Sequence, residues 1–240
     1  GAGVRGPPPD VAARRRGPPP GAGLTRVRRP PTIRLEPLAE AVAARTDHDE
    51  VTEAILDAAV AVLAEGGLRR FTVEEIAAAG RLGRTTIYRR FEGRDALVHA
   101  ALGRELQRTF AAIAAEVADR PTLEDRVVDG ILAGLRAARE SLVIRLVRQE
   151  PELLRLVTVD GGPLIVLATD LLVAAAVEEA ARTDDPDAVR PDGEEARHLA
   201  EVLIRLATSL ALAPQSTLPL DDDTAARAAL HRLLDPLLRR

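Results

Sequence analysis

Apolar side chains recur at helical spacing along most of this chain, and this pattern constrains the fold more than any other feature. In the first clear example the apolar positions lie on one face of a helix: Ile55, Ala58, Ala59, Val62 and Leu63. Aromatic residues make up only 2% of the chain, so the core must be aliphatic. Leucine and alanine favour helix over strand. The sequence therefore predicts an all-α protein.

Composition and periodicity divide the chain into three segments. Residues 1–45 are rich in Pro, Gly and Arg and cannot bury enough apolar surface to offset the entropy of ordering, so we expect disorder there. Residues 46–95 hold three helical patterns separated by glycine-containing turns. Residues 96–240 hold a series of further helices. We therefore expect a small N-terminal domain and a larger helical C-terminal domain.

The small domain has the layout of a helix-turn-helix. The first helix ends at Gly66-Gly67, and Thr72 with Glu75 forms a capping box that starts a short second helix. The segment Gly80-Arg81-Leu82-Gly83 makes a tight turn, and a third helix follows to about Phe91. In this layout the third helix enters the major groove of DNA.

The third helix presents an outward face without acidic residues. Ile87 and Phe91 are four residues apart and can face the core. The side chains left outward can all contact phosphate or base edges: Arg84, Thr85, Thr86, Tyr88, Arg89 and Arg90. Residues 81–94 hold five arginines against one acid, although the net charge of the chain is −4. A local basic face on an acidic protein favours DNA as the partner.

The stretch from Phe71 to Leu97, FTVEEIAAAGRLGRTTIYRRFEGRDAL, resembles the DNA-binding signature of the tetracycline-repressor (TetR) family, and the helix ILDAAVAVLAEGG before it fits that family's first helix. The resemblance implies a three-helix DNA-binding domain followed by a helical ligand-binding and dimerisation domain. It also implies a ligand-responsive transcriptional regulator, most often a repressor, that binds a pseudopalindromic operator as a homodimer. By position it assigns DNA contacts to Thr72, Arg84, Thr85, Thr86, Tyr88 and Arg94, to which the outward face adds Arg89 and Arg90.

Two positions depart from the commonest pattern of the family. Gly93 stands where a capping Ser, Thr or Asn is frequent, and Glu92 stands where proline or a basic residue is often found. We expect the side chain of Glu92 to point away from the DNA backbone, and we expect neither change to break the motif.

The C-terminal half gives weaker indications of a pocket for a small-molecule effector, whose identity the sequence does not reveal. Polar residues inside apolar stretches are the candidates: Asp129, Arg136, Arg145, Arg148, Gln149, Thr169 and Asp170. For each of them the alternative is solvent exposure or a structural ion pair. An aliphatic pocket containing arginine would suit an apolar ligand with an acidic group. An unpaired buried carboxylate is costly, so Asp170 in particular needs a partner or a ligand.

The last two helices are the candidates for a dimer interface. In the family the corresponding helices pair with their twofold mates into a four-helix bundle. The candidate contact residues are Leu206, Ser209, Leu210, Ala226, Leu230 and Leu233. The alternative is that both apolar stripes face the core of their own protomer. We expect Pro236 to bend or end the final helix.

Other classes of protein have little support. The chain has no cysteine, its four histidines are scattered singly, and it lacks nucleophile, metal and phosphate-loop motifs, so we expect neither an enzyme nor a cofactor. A protein–protein adaptor would have a more neutral third helix. The apolar stretch from Leu164 to Val177 is too short to span a membrane, and no signal peptide is evident, which favours the cytoplasm. The arginine-rich tail is either a flexible segment without a role or a basic arm that adds non-specific DNA affinity.

Overall fold

The computed structural model describes Gly1, Gly3 and residues 30–44, 48–183 and 193–238. These residues form eleven α-helices and no strand, which confirms the all-α prediction. The helices are α1 (Leu35–Ala43), α2 (Glu50–Arg70), α3 (Val73–Gly80), α4 (Arg84–Arg90), α5 (Arg94–Val117), α6 (Leu123–Glu140), α7 (Leu142–Gln149), α8 (Pro151–Thr158), α9 (Gly162–Thr183), α10 (Glu194–Leu212) and α11 (Asp223–Leu238).

The starts and ends of the first helices follow from local side-chain chemistry. Asp49 caps α2 by accepting a hydrogen bond from Thr52 N at 2.9 Å, and Gly67, with φ 59°, interrupts the helix where the sequence predicts its end. Thr72 caps α3 by accepting from Glu75 N at 3.1 Å. The carboxylate of Glu75 lies 3.4 Å from Arg70 instead of reaching back to the cap, so the reciprocal half of the predicted capping box is wrong.

A first hydrophobic core joins α2, α3 and α4 to the beginning of α5. Its largest fully buried side chains include Ile55, Ile76 and Ile87 from the first three of these helices and Phe71 from the link between α2 and α3. Leu97 and Val98, on the first turn of α5, are fully buried in the same core. The core therefore crosses the predicted domain boundary between residues 95 and 96, because the first half of α5 packs with the helix-turn-helix.

A second hydrophobic core lies among α6, α10 and α11. Val128 and Leu132 of α6 pack there with Leu203 of α10 and with Leu230 and Leu234 of α11. Ala226 and Leu230 are almost completely buried within the protomer, so their prediction as dimer contacts is wrong. Both residues instead face the core of their own protomer, because this face of α11 packs against α6.

The other predicted dimer residues are less buried. Leu206 and Leu210 are half-buried, whereas Ser209 and Leu233 are exposed. The exposed apolar side chains of α10 and α11 also include Val202 and Leu237. Helix α11 continues past Pro236 to Leu238, so the proline does not end it at that position.

Part of the N-terminal segment that was expected to be disordered forms helix α1. The prediction of disorder across residues 1–45 is wrong for Leu35–Ala43, which is helical. Leu35, Leu38 and Val42 lie at positions i, i+3 and i+7, and all three are buried. The segment therefore gains enough apolar burial against neighbouring helices to offset its ordering entropy. Residues 4–29, which hold most of the predicted tail, lie outside the described residues.

Helix α1 packs closely against α5 because α5 has a glycine at the point of contact. A Cβ atom placed on Gly103 would lie 2.6 Å from Cβ of Ala41 and 3.0 Å from its carbonyl carbon. Gly130, in the middle of α6, offers a matched comparison because a Cβ atom there would meet nothing within 4 Å. Any larger residue at position 103 therefore forces the two helices apart.

We expect Gly103→Ala and Gly130→Ala to change the free energy of unfolding in opposite directions. Alanine favours helix over glycine by up to about 1 kcal/mol, so Gly130→Ala should stabilise the protein. In Gly103→Ala the overlap with Ala41 should outweigh this gain and lower the free energy of unfolding by about 1–3 kcal/mol. Urea denaturation of both variants measures the difference, and equal stabilisation by the two would contradict the close packing of α1.

Candidate DNA-binding face and ligand cavity

Helix α4 presents the outward face that the sequence predicts. Ile87 is buried and Phe91 packs against the first core, which fixes the inner side of the helix. Tyr88 is 56% exposed although it is the chain's only tyrosine, so it does not serve as a core residue. Exposed beside it are Arg84, Thr85 and Arg89, whereas Thr86 is half-buried. The exposed surface of α4 thus carries arginine, hydroxyl and phenol groups suited to phosphate and base edges.

The turn between α3 and α4 is set by close packing against α2. A Cβ atom on Gly80 would lie 2.9 Å from Cβ of Ala58, so glycine lets the end of α3 approach α2. Arg81 then adopts a left-handed conformation with φ 53°, and Leu82 N donates to the carbonyl of Ala77 at 2.8 Å. This conformation ends α3 and redirects the chain into α4.

Arg90 is exposed, as predicted for an outward residue, but its guanidinium is bound by residues at the start of α2. Its guanidinium donates to Asp49 Oδ1 at 2.7 Å and to Thr52 Oγ1 at 2.8 Å. Hydrogen bonds from Thr52, and then the neighbouring Arg90, lower the pKa of Asp49 to about 2, so this carboxylate is charged at any physiological pH. Arg90 therefore fixes the end of α4 against the start of α2 and positions the exposed face.

Two further predicted contact residues lie at helix starts. The hydroxyl of Thr72 caps α3, and Arg94 is the half-buried first residue of α5. Gly93, which precedes Arg94, has φ 145°, a conformation that glycine adopts far more readily than residues with a Cβ. This conformation explains why glycine occupies a position where a capping residue is frequent.

A buried arginine joins α5 to α2. The side chain of Arg104 is 5% exposed and pairs with Glu53 at 2.8 Å and with Asp57 at 2.8 Å, both on α2. Arg108, one turn further along α5, contacts the same Glu53 at 2.9 Å. The two acids lie four residues apart, so they face α5 together. This ionic cluster fixes the orientation of the DNA-binding helices relative to α5.

A large cavity of about 1700 Å³ lies beyond this cluster, among α5, α6, α7, α9, α10 and also α1. Its wall is mainly aliphatic and includes Leu106, Phe110, Ile131, Leu164 and Leu203. Among the described residues, the charged side chains on the wall are those of Glu124 and Arg126, both in the first turn of α6. A cavity of this composition fits an apolar ligand.

None of the polar residues predicted for the ligand site lines this cavity. Arg136 pairs with Glu116 and with Asp223, and Arg148 donates to the carbonyl of Ala211 at 2.6 Å. Asp170 pairs at 2.5 Å with Arg197 of α10, which supplies the partner that this carboxylate requires. Arg136 and Asp170 thus form ion pairs with residues of other helices, and Arg148 has a hydrogen bond to a carbonyl. Arg136 also lines a second, smaller cavity of about 530 Å³ between α5 and α6.

The remaining polar candidates also lie off the cavity wall. Arg145 and Gln149 are exposed on α7, and Thr169 is buried. Asp129, which is 2% exposed, pairs with Arg120 at 2.5 Å and with Arg227 at 2.6 Å, so it joins α6 to α11. Sequence reasoning missed the residues that do form the wall, because aliphatic side chains at helical spacing look the same whether they face a core or a cavity.

Two other kinds of site are not found in the described part of the chain. No group of three or more His, Asp or Glu residues there is placed to hold a metal ion. None of the described helices is both long enough and apolar enough to cross a membrane.

Comparison with known proteins identifies the family. Residues 55–101 match the family model described as bacterial regulatory proteins of the tetR family, and residues 123–236 match the model of the C-terminal domain of the bacterial tetracycline repressor. The chain belongs to the TetR family. It is therefore a DNA-binding transcriptional regulator, and its family consists of regulators and not of enzymes.

Individual TetR-family proteins are similar to this chain over nearly their whole length. The transcriptional regulator AlkX of Mycobacterium tuberculosis is 26% identical over 221 residues, which are 88% of this chain and 95% of the relative. The crystal structure of the repressor AlkX from Dietzia sp. strain DQ12-45-1b is 26% identical, with a TM-score of 0.57 over 78% of this chain and 96% of that one. A TetR-family regulator from a Rhodococcus species has a TM-score of 0.53 at 21% identity, covering 80% of this chain and 100% of its own.

His99 of this TetR-family chain is a buried histidine between α1 and α5. Its Nε2 accepts a hydrogen bond from the backbone N of Arg34 at 2.9 Å, and the residue is 7% exposed. Burial lowers the pKa of His99 below its ordinary value of 6.5; the charge and backbone of Asp95 oppose this shift, whereas the charge of Arg34 adds to it. The neutral imidazole is therefore the form that holds α1.

We expect the protein to lose stability as the pH falls below about 6.5, the ordinary pKa of histidine. The unfolded chain then binds a proton that the folded His99 resists, and protonation would also remove the acceptor used by Arg34. His99→Gln keeps an acceptor but does not titrate, so it should lose less stability between pH 7.5 and pH 5.5. Urea denaturation at the two pH values tests this, and an equal loss in both proteins would contradict it.

Proposed function

We propose that this protein is a homodimeric repressor that binds a pseudopalindromic operator through α4 and releases it when an aliphatic effector occupies the cavity. The exposed face of α4 carries the proposal, because it groups Arg84, Thr85, Tyr88 and Arg89 on a helix whose inner side is buried. Thr72 and Arg94 would add phosphate contacts at the edges of this face, and Thr86 would add one from its half-buried position. A regulator that binds the chromosome acts in the cytoplasm.

The exposed apolar residues of α10 and α11 support a dimer. Val202 and Leu233 are each more than half exposed, and Leu237 is 47% exposed. Exposed leucine and valine side chains on two consecutive helices favour burial against a second copy, and a twofold axis would bring the same surface of both copies together. We place the interface at these three residues with Leu206, Ser209 and Leu210 beside them, in place of Ala226 and Leu230.

The cavity supports an aliphatic effector. Most of its wall is formed by Leu, Ile, Val and Ala side chains, and burial of an alkyl chain against them would stabilise the complex. The similar Dietzia repressor AlkX is described as implicated in the biodegradation of n-alkanes, which agrees with an aliphatic ligand. The charged end of the cavity, at Glu124 and Arg126, is where a polar end group of such a ligand would lie.

Selection of binding sites from a random DNA library tests the repressor proposal. Wild type should select a palindrome, because two symmetric heads read two half-sites. Tyr88→Ala and Arg84→Ala should each weaken binding of the selected site by about 5- to 150-fold, which corresponds to about 1–3 kcal/mol.

The matched control is Arg155→Ala, which removes an exposed arginine on α8 and should leave DNA affinity unchanged. A selected site with one half-site would contradict the dimer. Equal affinities of wild type, Tyr88→Ala and Arg84→Ala for the selected site would contradict the role of α4.

A further inference from the structure

Helix α1 lies outside both regions that match the family models, which begin at residues 55 and 123. It is nevertheless firmly seated in the structure. Leu35, Leu38 and Val42 are between 3% and 6% exposed. A short helix ahead of the DNA-binding domain that buries three aliphatic side chains is therefore an integral part of the fold.

Four residues of α5 at intervals of four hold this segment along one face. Asp95 Oδ1 accepts from Thr32 N at 3.1 Å, and His99 Nε2 accepts from the backbone N of Arg34, as described above. Gly103 allows the close approach of α1. Gln107 Nε2 shares its two protons among three carbonyl oxygens at the end of α1: Ala41 O at 3.1 Å, Val42 O at 2.8 Å and Ala44 O at 2.6 Å.

The aliphatic side of α1 also forms a wall of the cavity. Ile33, Leu35, Leu38 and Val42 line it, and so does Gln107 of α5. A ligand that fills the cavity therefore touches the same side chains that pack α1 into the protein. The two ends of the segment are tied to different regions, since Asp95 adjoins Arg94 at the start of α5 and Gln107 lies on the cavity.

We propose that α1 is part of the effector site: the aliphatic effector lies against Leu38 and Val42, with α1 in place as the wall of the cavity. This inference rests on the proposed function, because it requires that the cavity bind an aliphatic molecule. The proposed effector site then includes a helix that precedes the DNA-binding domain in the sequence. It also gives the effector a contact with a segment that is hydrogen-bonded beside Arg94.

The absence of cysteine makes a direct test possible, because an introduced thiol is the only one in the protein. Leu38→Cys places a thiol on the cavity side of α1, and Val42→Cys is a second position for the case in which the first variant does not fold. Glu40→Cys is the matched control, since Glu40 is exposed on the other side of the same helix. The probe is 11-(dansylamino)undecanoic acid, whose fluorescence reports binding to each variant.

The rate of reaction with N-ethylmaleimide is then measured with and without the probe. With the probe at about ten times its Kd, about one cavity in eleven is empty, so reaction at Leu38→Cys should slow about tenfold. The rate at Glu40→Cys should stay the same. Probe binding without protection of Leu38→Cys or Val42→Cys overturns this inference alone. Acceleration overturns it too, because it means that the probe displaces α1. Failure of the probe to bind wild type overturns both this inference and the aliphatic effector.

Discussion

The buried guanidinium of Arg104 is the contact on which the arrangement of the whole protein depends. A charge with 5% of its side chain exposed is tolerated only when paired, and here Glu53 and Asp57 of α2 supply the partners. Loss of either acid would leave a buried charge undercompensated, so α2 and α5 cannot move apart at low cost. The DNA-binding helices pack on α2, and α5 continues from them to the cavity. One pair of helices therefore fixes the position of the helix-turn-helix relative to the cavity.

Helix α5 serves three surfaces along its length. Its first turn packs into the helix-turn-helix core through Leu97 and Val98, its polar face holds α1 through His99 and Gln107, and its second half lines the cavity. Packed interiors do not deform continuously, so a change in one of these contacts favours a shift of the entire helix. This arrangement supplies a physical route by which cavity occupancy could alter the spacing of the DNA-binding faces in a dimer.

The sequence predicted the parts of this protein that rest on local chemistry. The cap at Thr72, the break at Gly67 and the buried position of Ile87 each depend on residues within a few positions. Prediction from the sequence was wrong or incomplete where a residue far away in the chain determines the position of a side chain. The guanidinium of the exposed residue Arg90 donates to Asp49 and Thr52 at the start of α2, and Asp170 pairs with Arg197 of another helix. Helix α1 was missed because proline, glycine and arginine dominate the residues before it, although Leu35, Leu38 and Val42 already have helical spacing.

Coupling between the cavity and the face of α4 requires that effector and DNA change each other's affinity by the same factor. The affinity of wild type for its selected DNA site is measured with and without saturating 11-(dansylamino)undecanoic acid, and the affinity for the probe is measured with and without that DNA. With this coupling, the probe should weaken DNA binding by about 5- to 150-fold, and DNA should weaken probe binding by the same factor. Unchanged DNA affinity while the probe is bound would contradict it.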